Sequence, residues 1–432
     1  MNKEILRLAF PNILANLSVP LLSLVDIALM GHLNDEQYIV GIGLGVMIFN
    51  FVYWGFGFLR MGVTGMTAQE YGKGNVQESK LLLFRGLFVA LLGAVLIFVS
   101  QQGILAFSLG LIDGSPLVNS SVSSYFNIRV YAAPATLAIY VFVGWFLGKQ
   151  QATMAMVVTI MVNLVNVLLS YYLVKVQGME IEGVAYGTVI AQYVGLLVSV
   201  VIYLIYFKKE VVKISLSQVM QIDALKKFMS VNTDIIIRTL CLIFTLSFFK
   251  IQSAHQGDLL GAANILLLEF ITITAYGIDG FAFAAEAISG KYFGSKNVVL
   301  FKKAVRYCFY WGFGISVVYS LLYFFFGENI LGLLTDQVNV IEEALVYMNW
   351  LILFPVLSVA AFVWDGIFIG ATATKAMRNT MLFATFFLFL PAYYLLTPLM
   401  SNHGLWLAFM LFIVGRGLGQ TVIAKRVVFD KL

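Results

Sequence analysis

The stretch GWFLGKQQAT at residues 144–153 recurs in altered form, 222 residues later, as GIFIGATATK at residues 366–375. The same offset relates EYGKGN at 70–75 to YFGSKN at 292–297. Each match alone is weak, but one constant offset over a long segment indicates an internal repeat. The paired positions are Gly72 with Gly294, Asn75 with Asn297, Tyr125 with Tyr347, Asn127 with Asn349, Gly144 with Gly366, Phe146 with Phe368, Gly148 with Gly370, and Tyr171–Tyr172 with Tyr393–Tyr394.

The composition indicates a membrane protein. The chain has 432 residues, of which 61% are hydrophobic and 11% are charged, whereas about 25% of residues are charged in soluble domains. Because a membrane-spanning helix needs about 20 apolar residues, the apolar runs predict an all-α polytopic membrane protein. The twelve predicted spans are 7–31, 38–68, 81–110, 121–147, 153–174, 183–207, 226–250, 258–287, 303–326, 340–369, 378–398 and 402–424.

The basic residues predict the orientation of these spans. Most of the 27 lysines and arginines fall in the termini and every second loop, as Lys73, Lys149, Lys208 and Lys375 do. Cytoplasmic loops of membrane proteins carry such an excess. We therefore expect a multi-pass protein of the inner (plasma) membrane with both termini cytoplasmic. Residues 1–17 have no small-residue cleavage site after a short apolar core, so we expect a retained first helix rather than a signal peptide.

The repeat predicts how the spans are grouped. Each half contains six spans, an even number, so both halves enter the membrane from the same side. The repeat is then parallel, an arrangement found in transporters. The predicted domains are an N-terminal lobe at 1–207, a cytoplasmic linker at 208–225 and a C-terminal lobe at 226–432.

A carboxylate interrupts the first span, in LLSLVDIALM at residues 21–30. Charged residues inside a membrane are costly and are by default functional candidates. A buried carboxylate has a raised pKa, so Asp26 could exchange a proton near neutral pH, or, when ionised, hold Na⁺. Alternatively, Asp26 is hydrogen-bonded within the helix bundle. Pro20, six residues earlier, provides a place for the helix to bend.

Polar residues also cluster on the fifth span. Asn166 and Ser170 are four residues apart, and Asn163 and Ser170 are seven apart, so both pairs share a helix face. Their oxygens suit a hydrogen-bond network or a site for a hard cation. Interhelical hydrogen bonding without a transport role is the alternative.

Other ionisable residues within the spans are candidates for a substrate cavity. Asp234 and Arg238 lie four apart on the seventh span, a spacing that favours an internal salt bridge over a substrate site. Asp365 has either a structural role, capping or pairing with the next basic loop, or a transport role. Glu286 lies close to the predicted cytoplasmic end, where we expect water to reach it. The complete set of cavity candidates is Arg60, Asp234, Arg238, Glu269, Asp279 and Asp365.

The motifs of an enzyme are missing. The sequence has no phosphate-binding loop and no H-E-x-x-H motif. Cys241 and Cys308 both fall in apolar segments and are interpreted as small hydrophobic residues. We therefore expect no enzymatic activity, no cofactor, no nucleic-acid partner and no metal site beyond Na⁺ near Asp26.

Three stretches resemble the multidrug and toxic compound extrusion (MATE) family, in its DNA-damage-inducible F branch. They are ILRLAFPNILANLSVPLLSLVDIALMGHL at 5–33, GIDGFAFAAEAISGKYFG at 277–294 and WDGIFIGATATKAMRNTM at 364–381. The resemblance extends over essentially the whole chain. It implies two six-helix lobes that export cationic or amphipathic compounds in exchange for H⁺ or Na⁺.

The resemblance also implies roles for individual residues. Asp26 matches the family's coupling carboxylate, whose protonation accompanies bending of the first helix at a proline, here Pro20. The family's N-lobe network maps onto Tyr125, Asn166, Ser170 and Thr188, with Asn163 nearby. Ser170 departs from the pattern, which has an aspartate there. Because cation affinity follows ligand charge, this change favours H⁺ over Na⁺ as the coupling ion.

The predicted partners are small amphipathic or cationic molecules and the lipid bilayer, and we expect a monomer. A flippase or exporter of a lipid-linked or other amphipathic metabolite on a related fold is the alternative. It would need basic residues around a central cavity, and the spans offer chiefly Arg60, Arg129 and Arg238. A sensor, channel or membrane enzyme is a third hypothesis, for which the sequence offers no filter, signalling domain or catalytic cluster.

Overall fold

The computed structural model describes the chain except for residues 31–35, 113–114, 209 and 211–213; for 21–30 and 36–39 it describes the backbone alone. The described residues form seventeen α-helices joined by short turns. Two π-helices, Tyr172–Val176 and Ala384–Phe389, and two 3₁₀ turns, Val130–Ala132 and Phe429–Lys431, continue or link them. The α-helices are α1 Asn2–Met30, α2 Glu36–Gly55, α3 Phe58–Gly72, α4 Val76–Ile112, α5 Pro116–Arg129, α6 Ala133–Gly148, α7 Ala152–Tyr171, α8 Ile181–Phe207, α9 Leu216–Val219, α10 Ile222–His255, α11 Asp258–Gly294, α12 Val298–Leu331, α13 Val338–Val346, α14 Met348–Gly370, α15 Thr374–Phe383, α16 Leu390–Met400 and α17 Asn402–Val427.

The predicted membrane spans coincide with these helices throughout the described residues. Several spans consist of two consecutive helices: α2 with α3, α5 with α6, α13 with α14, and α15 with α16. Within the described residues, ten of these spans are long and apolar enough to cross a membrane on length and composition alone. The prediction of an all-α polytopic architecture is confirmed.

The chain divides into two compact units. The N-terminal unit contains Leu14–Met229, and the C-terminal unit contains Ser230–Leu432 together with Met1–Ile13. The first helix therefore contributes its initial residues to the C-terminal unit and the remainder to the N-terminal unit. The lobe boundaries expected from the sequence, with all of the first helix in the N-terminal lobe, stay a prediction.

The glycines of the sequence repeat perform the same task in each unit. In the N-terminal unit, a Cβ added at Gly144 would overlap the carbonyl oxygen of Arg60, and one at Gly148 would meet Thr64 and Thr67. In the C-terminal unit, the corresponding additions at Gly366 and Gly370 would overlap the carbonyl oxygens of Ala282 and Glu286. Glycine permits this close approach of α6 to α3 and of α14 to α11, as small residues commonly do in membranes.

The partners of these glycines also follow the repeat. Arg60 and Thr64 on α3 correspond to Ala282 and Glu286 on α11 at the offset of 222 residues. Thr67 corresponds to Ser289, whose hydroxyl a Cβ at Gly370 would overlap. The repeat therefore extends from the sequence to individual contacts between helices.

Helix ends repeat in the same register. Asn75 accepts a hydrogen bond from the Glu78 N–H at 3.1 Å, and Asn297 accepts one from the Leu300 N–H at 3.0 Å. Each asparagine thus satisfies an otherwise unpaired donor at the start of α4 or α12. The residue before each has a positive φ, 72° at Gly74 and 54° at Lys296. Gln150 (φ 62°) and Thr372 (φ 51°) are a second repeat-related pair with positive φ. Each lies two residues after a contact glycine, Gly148 or Gly370.

Polar contacts attach the start of α1 to the C-terminal unit. Lys291 Nζ donates to Glu4 Oε1 at 2.6 Å, Tyr292 Oη donates to Glu4 Oε2 at 2.9 Å, and Trp311 Nε1 donates to Asn2 Oδ1 at 3.2 Å. Partial burial raises the pKa of Glu4, but the two hydrogen bonds and the charge of Lys291 outweigh it, so this pKa lies below its usual value. The carboxylate is therefore ionised at neutral pH, and the attachment weakens only as the pH falls through that lowered pKa.

Candidate coupling site

A buried network of neutral side chains links α7 to α8 in the N-terminal unit. Ser170 Oγ donates to Asn166 Oδ1 at 3.1 Å, and Asn166 Nδ2 donates to Thr188 Oγ1 at 3.0 Å. Thr188 in turn donates to the carbonyl oxygen of Val184 at 2.9 Å. All three side chains are buried. These hydrogen bonds place Asn166, Ser170 and Thr188 in one network, as the spacing of the first two and the family match of Thr188 predicted.

The helix packing explains why a small residue fits at position 170. A Cβ added at Gly187 of α8 would lie 2.6 Å from Ser170 Oγ and 2.9 Å from its backbone nitrogen. The two helices therefore touch at this point. Serine provides a hydroxyl for Asn166 within a space that Gly187 leaves open.

Asn163 joins the same face of α7 to α1. Its Nδ2 donates to Ser18 Oγ at 2.7 Å, and Ser18 donates to the carbonyl oxygen of Ala15 at 2.7 Å. Sequence reasoning did not identify Ser18. Its position two residues before Pro20 was the available signal. The bond fixes α1 immediately before its second proline.

Tyr125 of α5 is fully buried and faces α2. Its hydroxyl accepts a hydrogen bond from Arg129 Nη1 at 3.1 Å, and its ring packs edge-on against Phe49 at a centroid distance of 6.4 Å. The Arg129 guanidinium also lies 5.5 Å from the Phe49 ring centre, a cation–π contact. Arg129 is therefore engaged within its own unit.

The side chain of Asp26, the predicted coupling carboxylate, lies outside the described residues. The backbone of α1 is helical through Pro20 and on to Met30, so position 26 is eight residues beyond Ser18 on the same helix. Its role stays a prediction.

The C-terminal unit has a buried charge cluster around Asp365. Arg238 Nη2 from α10 forms an ion pair with Asp365 Oδ2, and Gln420 Nε2 from α17 donates to Oδ1 at 2.6 Å. Arg416 Nη2, one turn before Gln420, lies 3.9 Å from Oδ2. Asp365 and Arg416 are 5% and 1% exposed. The partners of Asp365 are thus on α10 and α17 rather than in the next basic loop, and its transport role stays a prediction.

The predicted salt bridge between Asp234 and Arg238 is wrong. Asp234 Oδ1 accepts from Arg378 Nη1 at 2.7 Å, and Asp234 Oδ2 accepts from Thr374 Oγ1 at 3.0 Å, both on α15. Arg238 instead pairs with Asp365 on α14. The i, i+4 spacing places both residues on one face of α10, but two neighbouring helices provide better-placed partners.

The remaining cavity candidates lie in different environments. Glu286, expected to be wetted, is 1% exposed, so that prediction is wrong; it lies where α14 approaches α11 through Gly370. On the same helix, Glu269 is exposed and Asp279 is half-buried, and Arg60 on α3 is half-buried. The structure does not bring these residues together with Asp365 in a described site, and their substrate role stays a prediction.

Among the described residues, no group of three or more histidine, cysteine, aspartate or glutamate side chains could hold a metal ion. The described residues provide a neutral hydrogen-bond network beside a proline-containing helix in one unit. In the other unit they provide a buried cluster of one carboxylate and two guanidinium groups. A bundle of apolar helices with an internal repeat is the architecture of many integral membrane transporters.

The comparisons with known proteins identify its family. The MatE family model matches residues 11–172 and 236–395, one match in each half of the repeat. The DNA damage-inducible protein F of Escherichia coli (strain K12) is 33% identical over 425 residues, covering 98% of this chain and 92% of the relative. The chain belongs to the MatE family, and it is a transporter rather than an enzyme.

Solved structures agree with this fold. A structure described as MATE in the bent conformation has a TM-score of 0.89 at 18% identity, covering 100% of this chain and 96% of its own. One described as MATE in the straight conformation has a TM-score of 0.89 at 19% identity, covering 100% and 97%. The predicted two-lobe MATE architecture is confirmed.

Proposed function

We propose that this transporter is a secondary active antiporter of the inner membrane that exports organic cations and amphipathic drugs in exchange for H⁺. Asp26 is the coupling carboxylate, and α1 bends at Pro20 when Asp26 gains or loses its proton. Both termini lie in the cytoplasm, as the distribution of lysine and arginine favours.

The hydrogen bond from Asn163 to Ser18 carries this proposal. It ties α1 to α7 two residues before Pro20 and eight before Asp26. The part of α1 before the proline is thus held by the bundle, and its first turn is held by Glu4. Because proline lacks the backbone N–H that would continue the helix ladder, a change at Asp26 can move the segment beyond Pro20 without displacing the segment before it.

The neutral network supports H⁺ rather than Na⁺ as the coupling ion. Asn166 Oδ1 already accepts from Ser170, and Thr188 Oγ1 already accepts from Asn166. A sodium site needs several oxygen ligands and gains affinity from charged ones, whereas Ser170 adds no charge. Proton exchange requires only one carboxylate whose pKa lies near the working pH.

The relatives support a change of conformation and a drug substrate. One solved relative is described as MATE in the bent conformation and another as MATE in the straight conformation. A relative from Thermotoga maritima, 22% identical over 359 residues, is described as a probable multidrug resistance protein NorM. The flippase alternative needs arginines available to a pyrophosphate, whereas Arg238 is paired with Asp365 and Arg129 is bound to Tyr125.

Transport by the purified full chain in liposomes tests the proposal, with the pH and Na⁺ gradients imposed separately. We expect uptake of a cationic dye driven by the pH gradient alone. Asp26→Asn should abolish it, and Asp26→Glu should retain part of it. Asp223→Asn, at an exposed carboxylate of α10, is the matched control and should transport normally. Full activity of Asp26→Asn, or uptake driven only by Na⁺, would refute the coupling assignment.

A second variant tests the hinge. Pro20→Ala restores a backbone donor within α1, so we expect proton binding to persist while dye transport falls at least tenfold. Proton release on addition of dye, measured in detergent, separates binding from transport. Pro11→Ala is the control, because it changes the other proline of α1, before the Ser18 tie. Equal loss in both variants would contradict a specific hinge at Pro20.

A further inference from the structure

The C-terminal unit has an apolar groove between α12 and α14. Its lining comes from Phe309, Tyr310 and Phe313 of α12 and from Val356, Val359 and Ala360 of α14, and its volume is about 370 Å³. Tyr310 and Phe313 are 65% and 52% exposed within the described structure. This α12/α14 groove is large enough for part of a ligand and lies on helices that cross the membrane.

The two helices that line the groove pack closely against each other. A Cβ added at Gly312 would lie 3.0 Å from Val363 Cγ2 and 3.4 Å from Val359 Cγ1, so α12 approaches α14 closely there. Ala360 is small, and the aromatic rings of Phe309 and Phe313 extend on the α12 side. The result is an apolar surface groove with aromatic walls, which suits a hydrocarbon chain.

Two exposed cations continue the groove toward the start of α12. Arg306 precedes Phe309, Tyr310 and Phe313 by three, four and seven residues, so it shares their helix face. Lys302 lies one further turn away on that face. At about 1.5 Å per residue, Arg306 is roughly 5–10 Å from the lining residues along the helix. Neither cation has a hydrogen bond or ion pair within the part of the chain that the structure describes.

The cations of α4, the helix of the N-terminal unit that corresponds to α12, are in a different environment. Lys80, the counterpart of Lys302, is 4% exposed and donates to the carbonyl oxygens of Phe207, at 3.2 Å, and Glu210. Arg85 is 2% exposed, pairs with Glu78 and donates to the carbonyl oxygen of Gln218 at 3.1 Å. The cations at the start of α4 are thus buried and bound within their own unit, whereas Lys302 and Arg306 of α12 are exposed beside an apolar groove.

We propose that the α12/α14 groove is a binding site for an anionic phospholipid of the surrounding bilayer. The phosphate lies against Arg306 and Lys302, and one acyl chain occupies the groove lined by Phe309, Phe313 and Ala360. Arginine suits phosphate because its planar donors can bind two oxygens at once. Basic pockets beside membrane helices recognise anionic headgroups by this combination of charge and apolar contact. The site is separate from the proposed coupling mechanism on α1.

Native mass spectrometry of the full chain, titrated with phosphatidylglycerol or phosphatidylcholine in detergent, tests the proposal. We expect tighter binding of phosphatidylglycerol. Removing each charge should weaken it about fivefold, so Lys302→Gln with Arg306→Gln should weaken it by at least tenfold and abolish the preference. The matched control is Lys226→Gln with Lys227→Gln, which removes two exposed cations from α10, a helix that contributes no lining residue to the groove. It should bind as wild type does.

Variants in the groove test the acyl-chain half of the site. Ala360→Trp fills the groove and should weaken the binding of both lipids while leaving the charges in place. If this variant unfolds, Phe313→Ser replaces it, because Phe313 is half-exposed and its loss removes groove contact without overpacking. Equal weakening by the control pair, no preference for phosphatidylglycerol, or unchanged binding when the groove is altered would each overturn the proposal.

Discussion

The two units share their backbone contacts but differ in the chemistry of their buried polar groups. In the N-terminal unit, Asn166, Ser170 and Thr188 form a neutral chain of hydrogen bonds. In the C-terminal unit, Asp365 is surrounded by Arg238, Arg416 and Gln420. The glycine contacts of α6 on α3 and of α14 on α11 are nevertheless the same.

The two kinds of buried polar group suit different roles, one static and one able to change. A cluster of opposite charges has little freedom to change, because removing one charge leaves another uncompensated in a medium of low polarity. A neutral network can exchange hydrogen bonds at small cost. The N-terminal unit is therefore suited to respond to a titrating carboxylate on α1, and the C-terminal unit is suited to hold its helices in place.

The largest effect should come from the charge cluster. Asp365→Asn removes the carboxylate that faces the buried Arg238 and Arg416, so we expect a loss of about 3–5 kcal/mol in stability. Thermal unfolding of the purified protein in detergent measures it. Asp234→Asn is the comparison, because its partner Arg378 is partly exposed, and it should lose less. An equal loss of stability in both variants would mean that the burial of the charge cluster does not explain its contribution.

The glycine contacts should respond alike in the two units. Gly144→Ala and Gly366→Ala each place a methyl group against a carbonyl oxygen, so each should cost about 1–3 kcal/mol by overpacking. Gly103→Ala on α4 and Gly314→Ala on α12 are controls, because an added Cβ meets nothing within 4 Å at either position. A loss confined to one unit would break the structural equivalence of the halves.

The neutral network should be more tolerant than the charge cluster. Ser170→Ala removes the hydrogen bond that the Ser170 hydroxyl donates to Asn166 Oδ1, so we expect the free energy of unfolding to fall by about 1 kcal/mol. The protein should remain folded, and pH-driven dye transport reports whether the network still serves Asp26. A loss as large as that of Asp365→Asn would remove the distinction between the two kinds of network.

The smallest effect concerns the paired turns. Lys296 adopts the left-handed conformation that Gly74 adopts in the other half. Because this conformation is strained for residues with a Cβ, Lys296→Gly should raise stability by about 1 kcal/mol or less, and Gly74→Lys should lower it by a similar amount. Thermal unfolding of both variants, with exposed Lys303→Gly on the helix as a control that should destabilise, checks the sign.

The sequence predicted the helices and their repeat because both depend on local pattern: apolar length and a constant offset. It also predicted that Asn166 and Ser170 would meet, since residues four apart share a helix face. The same rule failed for Asp234 and Arg238, because partners on α14 and α15 compete for them and helix spacing contains no information about neighbouring helices. The burial of Glu286 was missed for a related reason: it depends on how closely Gly370 allows α14 to approach α11.

The left-handed turns have a consequence for the history of the chain. Gly74 and Gln150 in one half, and Lys296 and Thr372 in the other, keep the same spacing as the glycine contacts between them. If the halves descend from a duplicated ancestor, no net insertion or deletion has accumulated between these positions, even though the side chains at the turns have changed. Length and turn geometry agree between the halves even where the side chains at the turns differ.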